Sequence, residues 1–260
     1  MPMLEPHAGA EPMHTVRGFL IHIAAIAIGL LLALVLDQTV LGIHHAHERR
    51  EVEAHMRDVL ASNVKGSTGN LATLRSLRAY LSALRADITT HLRADGQHRQ
   101  STGPASFSAP IITLPSLAPY EAAQKDGTVT IMGSDRIRLY NRIAFVRDLA
   151  LSALTDWERA IGDLQGFQKR YIDSAGAIEL GGVAKGPDLG TLSPAELTDY
   201  LARVGTLIQE TDLLSARLDL VDQESRALLA GARNEKEMLQ MSYGARPHGF
   251  GVAIAEPPEK

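Results

Sequence analysis

The chain has 260 residues, no cysteine, 22% charged residues and a formal net charge of −4. Lack of cysteine excludes disulfides and thiolate metal sites, and lack of a basic excess leaves no electrostatic footprint for nucleic acid. Aromatics at 5% among abundant Leu and Ala favour helices over sheets.

Residues 1–17 read as a disordered tail. From Phe19 to Leu36 run eighteen residues whose only polar member is His22, and Asp37, Gln38 and Thr39 are followed by more apolar residues up to Ile43. A bilayer core takes about 20 residues of helix at ~1.5 Å each, which residues 18–43 can supply. A secretory signal has an apolar region of about 7–15 residues and a small-x-small cleavage site. Here the run is longer and no Ala-x-Ala follows it. A buried core helix would carry polar residues on one face, and Ile23–Leu36 has none. The segment is therefore expected to be an uncleaved transmembrane helix, with the lipid bilayer as its partner. Asp37 falls where that helix leaves the hydrocarbon, a membrane-interface position.

Orientation rests on few charges. Arg17 precedes the apolar run, while Arg49, Arg50 and Arg57 follow it, so the positive-inside rule leans towards a cytoplasmic C-terminal domain. Large domains also translocate regardless of such charges, and both sides stay open.

Just beyond the anchor, His44 and His47 lie one helical turn apart, with Glu48 and Glu51 on the continuing face. Imidazole and carboxylate at this spacing could hold zinc or another divalent ion, or could titrate near pH ~6.5 at the headgroups. The plain alternative is a set of interfacial polar residues. No cofactor is implied.

A bundle domain is expected over 44–232, with helices at about 44–92, 117–126, 135–172 and 194–232. Alternate steps of four and three from Leu139 meet Ile143, Val146, Ala150, Ala153, Trp157, Ala160, Leu164, Phe167 and Tyr171, all apolar or aromatic. The same steps from Tyr200 meet Val204, Leu207, Thr211, Leu214, Leu218, Val221, Ser225 and Leu228. A 3.5-residue repeat held this long is the sequence form of a coiled-coil seam. On the first helix the steps run Met56, Leu60, Asn63, Ser67, Asn70, Leu74, Leu77, Leu81, Leu84 and Ile88. Gly66 and Gly69 disfavour helix there, but the apolar register resumes beyond them without a slip, which predicts one continuous helix. Asn63, Ser67 and Asn70 then stand at mid-seam as candidate ligand or register positions.

Residues 93–117 read as a polar, proline-bearing connector, and "TVTIM" after Gly127 as extended chain. "SPAE" places Ser193 at an N-cap, Pro194 at the first helical position and Glu196 in a capping box. The glycine-rich stretch before it has Lys185 ahead of Gly186 and lacks Gly-Lys-Ser/Thr, so it is a connector rather than a phosphate loop. Residues 233–260 read as a mostly disordered tail with a helical turn at its start. The fold class is thus all-α: an N-terminal transmembrane helix, then an elongated antiparallel coiled-coil-like bundle of three long helices plus a short helix.

Three stretches carry a family resemblance: "GLLLALVLDQTVLGIHHAHERR", Asn63 in "LASNV", and "YEAAQKDGTVTIMGSDRIRLYNRI". Together they resemble an uncharacterised family of bacterial single-pass membrane proteins. In that family an apolar anchor ends in an acidic residue, a helix bearing Asn follows, and an aromatic-x-x-Ala segment runs into Gly. Tyr120, Ala123 and Gly127 match the last motif, although the family more often has Trp at the aromatic position. The resemblance implies a helical protein of the bacterial inner membrane and carries no activity.

Enzyme signatures are missing. Only Glu11 and His14 have Glu-x-x-His spacing, and no Gly-x-Ser-x-Gly elbow occurs. The expected function is a membrane-anchored, non-enzymatic scaffold, pairing with itself or with a membrane protein through its helical seams. The alternatives are a ligand-sensing bundle using Asn63, Ser67 and Asn70, and a metal enzyme built on His44 and His47.

Overall fold

The computed structural model describes residues 16–93, 109–171 and 187–244. Of the tail expected at 1–17, residues 1–15 lie outside the described residues and Val16 and Arg17 begin α1; residues 94–108, 172–186 and the last sixteen, 245–260, also lie outside. The fold is all-helical: α1 (Val16–Arg93), α2 (Ala118–Asp126), α3 (Ser134–Tyr171), α4 (Pro194–Leu229) and α5 (Glu235–Tyr243), with short 3₁₀ turns at Thr128–Ile131 and Leu189–Thr191. The chain divides into two compact units, Met1–Glu51 and Val52–Lys260.

In the first unit α1 contributes a helix long and apolar enough to cross a membrane. Its large apolar side chains from Phe19 to Ile43 are all 47–68% exposed, so the unit itself offers them no core.

The second unit is built on the heptad positions. Every seam position of α4 from Tyr200 to Leu228 is buried, and so is every one of α3 from Leu139 to Phe167. So are all ten on α1 from Met56 to Ile88, the polar Asn63, Ser67 and Asn70 included. The α3–α4 pair is antiparallel and in constant register. Trp157 Nε1 donates to Thr211 Oγ1 at 3.1 Å, and eleven residues further along α3, eleven back along α4, Gln168 Nε2 donates to the Tyr200 hydroxyl at 2.9 Å. Phe167 stacks on Tyr200 with ring centroids 4.9 Å apart.

Two hydrophobic clusters show how α1 joins this pair. One groups Met56 and Leu60 of α1 with Leu139 and Ile143 of α3 and Leu228 of α4. The other groups Leu71–Ile88 of α1 with Val146–Phe167 of α3 and Leu197–Val221 of α4. Hence α1 and α3 run the same way and α4 runs against both. The bundle is thus mainly antiparallel, the pair α1 and α3 excepted, and the chain must return between those two.

That return is made by residues 109–117, the part of the expected connector that is described. It is a packed strap: Pro115 and Leu117 are buried, and Ala109, Ile112 and Leu114 pack against the larger cluster. Pro115 fixes its own φ and disfavours a helical Leu114, which keeps the strap extended.

Three further expectations change. "TVTIM" is a 3₁₀ turn, not extended chain, entered from Gly127 at φ +84. Pro187, Leu189 and Leu192 at the end of the glycine-rich connector are buried, with Asp188 accepting from the Gly190 amide. Residues 235–243 of the supposed C-terminal tail form α5, which buries Met238 completely. The signals for it were there. Gly231 at φ +102 ends α4 in a Schellman motif, with Ala232 N bonding Ala227 O and Gly231 N bonding Leu228 O. Asn234 then caps α5 by accepting from the Glu237 amide at 2.9 Å, while Glu237 accepts from Arg233 N.

The Ser193–Glu196 capping box forms as read. Gly66 and Gly69 sit inside the continuous α1, and a Cβ at either would meet nothing within 4 Å. Neither glycine is demanded by packing. Gly66→Ala and Gly69→Ala are therefore expected to raise stability by about 0.5–1 kcal/mol each, read as a higher midpoint in urea unfolding.

Candidate functional site

The polar mid-seam of α1 is the most built feature of the second unit. Asn63 Nδ2 donates to the Ser116 carbonyl at 2.7 Å, and Asn63 Oδ1 accepts from the Ser116 amide at 3.0 Å. One heptad on, Asn70 repeats the pattern on Thr113, donating at 2.7 Å and accepting at 3.4 Å. Each asparagine amide thus acts as a small sheet edge for one residue of the strap.

The spacing fits by simple geometry. Seven residues of α-helix rise about 10.5 Å, and three residues of extended chain span about 10 Å. A strap running against α1 therefore returns to hydrogen-bonding register after three residues, at Thr113 and Ser116. Pro115, which has no N–H, falls between the two stations.

Ser67, midway between the asparagines, is buried, and its Oγ has no hydrogen-bond partner among the protein atoms. Ser225 is in the same state on α4, between Val221 of one hydrophobic cluster and Leu228 of the other. Arg226 Nη2 reaches Thr68 Oγ1 at 3.1 Å and ties the two helices at this level. The mid-seam is a polar band between two apolar cores.

Asn63 and Asn70 were expected to be ligand or register positions. Each amide spends one donor and one acceptor on the chain's own backbone, while the Ser67 hydroxyl has no partner among the protein atoms. The motif residues Tyr120, Ala123 and Gly127 lie just after the strap. Tyr120 and Ala123 are buried, and the Tyr120 hydroxyl donates to Asn141 Oδ1 at 2.9 Å. Gly127 supplies the left-handed residue that ends α2.

The remaining candidates lie on the exposed part of α1. Asp37 is exposed, and nearby Thr39 Oγ1 donates to the Val35 carbonyl at 2.7 Å. His44 Nε2 pairs with Glu48 Oε1 at 3.1 Å, both side chains substantially exposed. Among the described residues no group of three or more His, Asp or Glu side chains is arranged to hold a metal ion, so the His44 and His47 pair gains no third ligand.

A second polar centre escaped the sequence reading. Arg142 on α3 contacts Glu224 on α4 at 2.9 Å and Glu235 on α5 at 2.8 Å. Glu224 is fully buried. Its position beside the seam residue Ser225 reads as an ordinary solvated charge until α5 is known to cover it.

Comparison with protein-family models, curated proteins and solved structures finds no match to this chain.

The clamp makes a direct prediction. Asn63→Ala leaves the part-buried Ser116 amide and carbonyl unpaired and is expected to lower stability by about 1–3 kcal/mol, and Asn70→Ala likewise at Thr113. Hydrogen exchange should accelerate at the Ser116 amide in Asn63→Ala and at the Thr113 amide in Asn70→Ala, which a general packing defect on α3 would not single out.

Proposed function

We propose that the chain is a single-pass protein of the bacterial inner membrane whose helical bundle is a non-enzymatic scaffold or adaptor. One observation supports this reading above others. The protein buries its heptad positions on three helices, yet leaves the long apolar run from Phe19 to Ile43 fully outside any core. Such a run in water would be a large apolar patch, which soluble monomers rarely tolerate, whereas lipid solvates it at no cost. The resemblance to single-pass bacterial proteins points the same way.

The nature of the partner follows from what is already filled. The seams expected to receive a homodimer mate or a membrane protein are occupied by the chain's own helices, so a partner meets the outer faces or the anchor. Phe145, Leu151 and Leu213 are large apolar side chains on outer faces of α3 and α4, 42–62% exposed. The ligand-sensing reading shares its two amides with the strap, which takes one donor and one acceptor of each. The metal-enzyme reading has no ligand cluster behind it among the described residues.

Membrane extraction tests the proposal. The full-length chain is expected to stay in the membrane pellet through carbonate washing and to leave it only with detergent. A variant lacking residues 1–45 is expected in the soluble fraction with its helical circular dichroism intact. Full-length protein recovered from the aqueous fraction would end the reading. A topology reporter fused after Lys260 then decides on which side the bundle lies.

A further inference from the structure

The charge cluster under α5 has an unusual composition. Glu224 Oε1 accepts from Arg142 Nε at 3.0 Å, and the Tyr243 hydroxyl stands 3.5 Å from the same oxygen. Glu224 Oε2 is buried and has no hydrogen-bond partner among the protein atoms. Arg142 Nη1 donates to Glu235 Oε1 at 2.8 Å. Two carboxylates therefore share one guanidinium, giving one net negative charge with both ionised and none with one proton bound. Of the two carboxylates, Glu235 is 48% exposed and Glu224 has no exposed side-chain surface, so water relieves the first and not the second.

The charged and titratable groups facing Glu224 are Arg142 from α3 and Glu235 and Tyr243 from α5. Both groups from α5 arrive only when that helix is docked. Docking is also apolar: Met238 enters the cluster of Leu139, Ile143 and Leu228. At the far end of the link, Arg136 Nη1 donates to the Ala232 carbonyl at 3.2 Å, next to the left-handed Gly231. Lifting α5 about that turn would return water to Glu224 and take the negative Glu235 away from it. Both changes weaken the hold of Glu224 on a proton.

Linkage is reciprocal, so a proton held more tightly in the docked state must itself favour docking. We propose that α5 is a proton-fastened latch: uptake of one proton by the Glu224–Arg142–Glu235 cluster closes α5 onto α3 and α4, and loss of that proton loosens it. The electrostatics agree in direction. Burial pushes the Glu224 carboxyl above the usual carboxylate range, against the pull of Arg142. A carboxyl raised in this way contributes stability as pH falls through its folded value and loses it as pH rises, the opposite of a common salt-bridged Glu. Opening would uncover the apolar residues around Met238, so the latch sets how much of that surface a partner can meet.

Hydrogen exchange of the amides of 235–243, in full-length protein in detergent and corrected for the intrinsic pH dependence, tests the latch. Wild-type protection is expected to rise as pH falls from 8 towards the ordinary Glu value of 4.5, by up to about tenfold for each pH unit separating the two proton affinities. Protection in the middle of α3 should not change. Glu224→Gln, which keeps an acceptor for Arg142 without the charge, is expected to hold α5 at or above the wild-type protection at pH 8 and to abolish the pH dependence. Glu235→Gln, on the exposed partner, should shrink the wild-type rise. Protection that falls or stays level on acidification, or a Glu224→Gln variant that keeps the wild-type pH dependence, overturns the proposal. So does an undiminished rise in Glu235→Gln, a variant on the surface that does not disturb the core.

Discussion

Every backbone N–H and C=O removed from water must find a partner, and an extended segment cannot supply its own. In this protein that constraint falls on the strap of residues 109–117, which lies against α1 with no sheet to join. Asn63 and Asn70 meet it. They turn one stripe of a helix into two isolated sheet-like contacts, at a spacing where helix rise and strand rise coincide. The strap then delivers Leu117 and Tyr120 to the core and starts α2. Placing α3 parallel to α1, with α4 antiparallel to both, follows from that return path. With a helix in place of the strap, residues 109–117 would cover less than half the distance, and the chain would need a longer linker.

The long helices were legible because their seams repeat every 3.5 residues and the repeat is deep: burial at these positions is nearly total on all three. The caps were legible for a local reason, since Ser193, Pro194 and Glu196 act within one turn. What was not legible is what depends on distant partners. The strap read as a connector because its proline and polar residues look solvated, and its packing is defined by asparagines about fifty residues earlier and by a core built from distant helices. The α5 helix is nine residues long, too short to show a period, and only its flanking Gly231 and Asn234-x-x-Glu237 signals betray it. Glu224 was invisible for the same reason, because its burial is created by that helix.

The polar exceptions within the seams form a pattern. Thr211 interrupts an apolar run on α4 and accepts the Trp157 indole N–H while donating to the Leu207 carbonyl at 2.7 Å. Tyr200 takes the Gln168 amide. Asn63 and Asn70 take the strap. In each case the polar seam residue marks where something other than an aliphatic side chain arrives, and an aliphatic replacement would strand the visitor's donor or acceptor. Ser67 and Ser225 depart from this rule, being buried hydroxyls without protein partners at the level where the two apolar clusters separate.

These observations bear on how such a protein can meet others. A heptad seam in a sequence usually invites the idea of a partner helix, because an isolated amphipathic helix must hide its stripe. Here three stripes and a strap hide one another, so the periodicity that suggested association is consumed by folding. The residual apolar surface divides into two kinds. The run from Ile23 to Leu36 is continuous and all-round, which suits a solvent of acyl chains better than any single protein groove. Phe145, Leu151 and Leu213 are scattered among charged neighbours, which suits a modest and reversible contact.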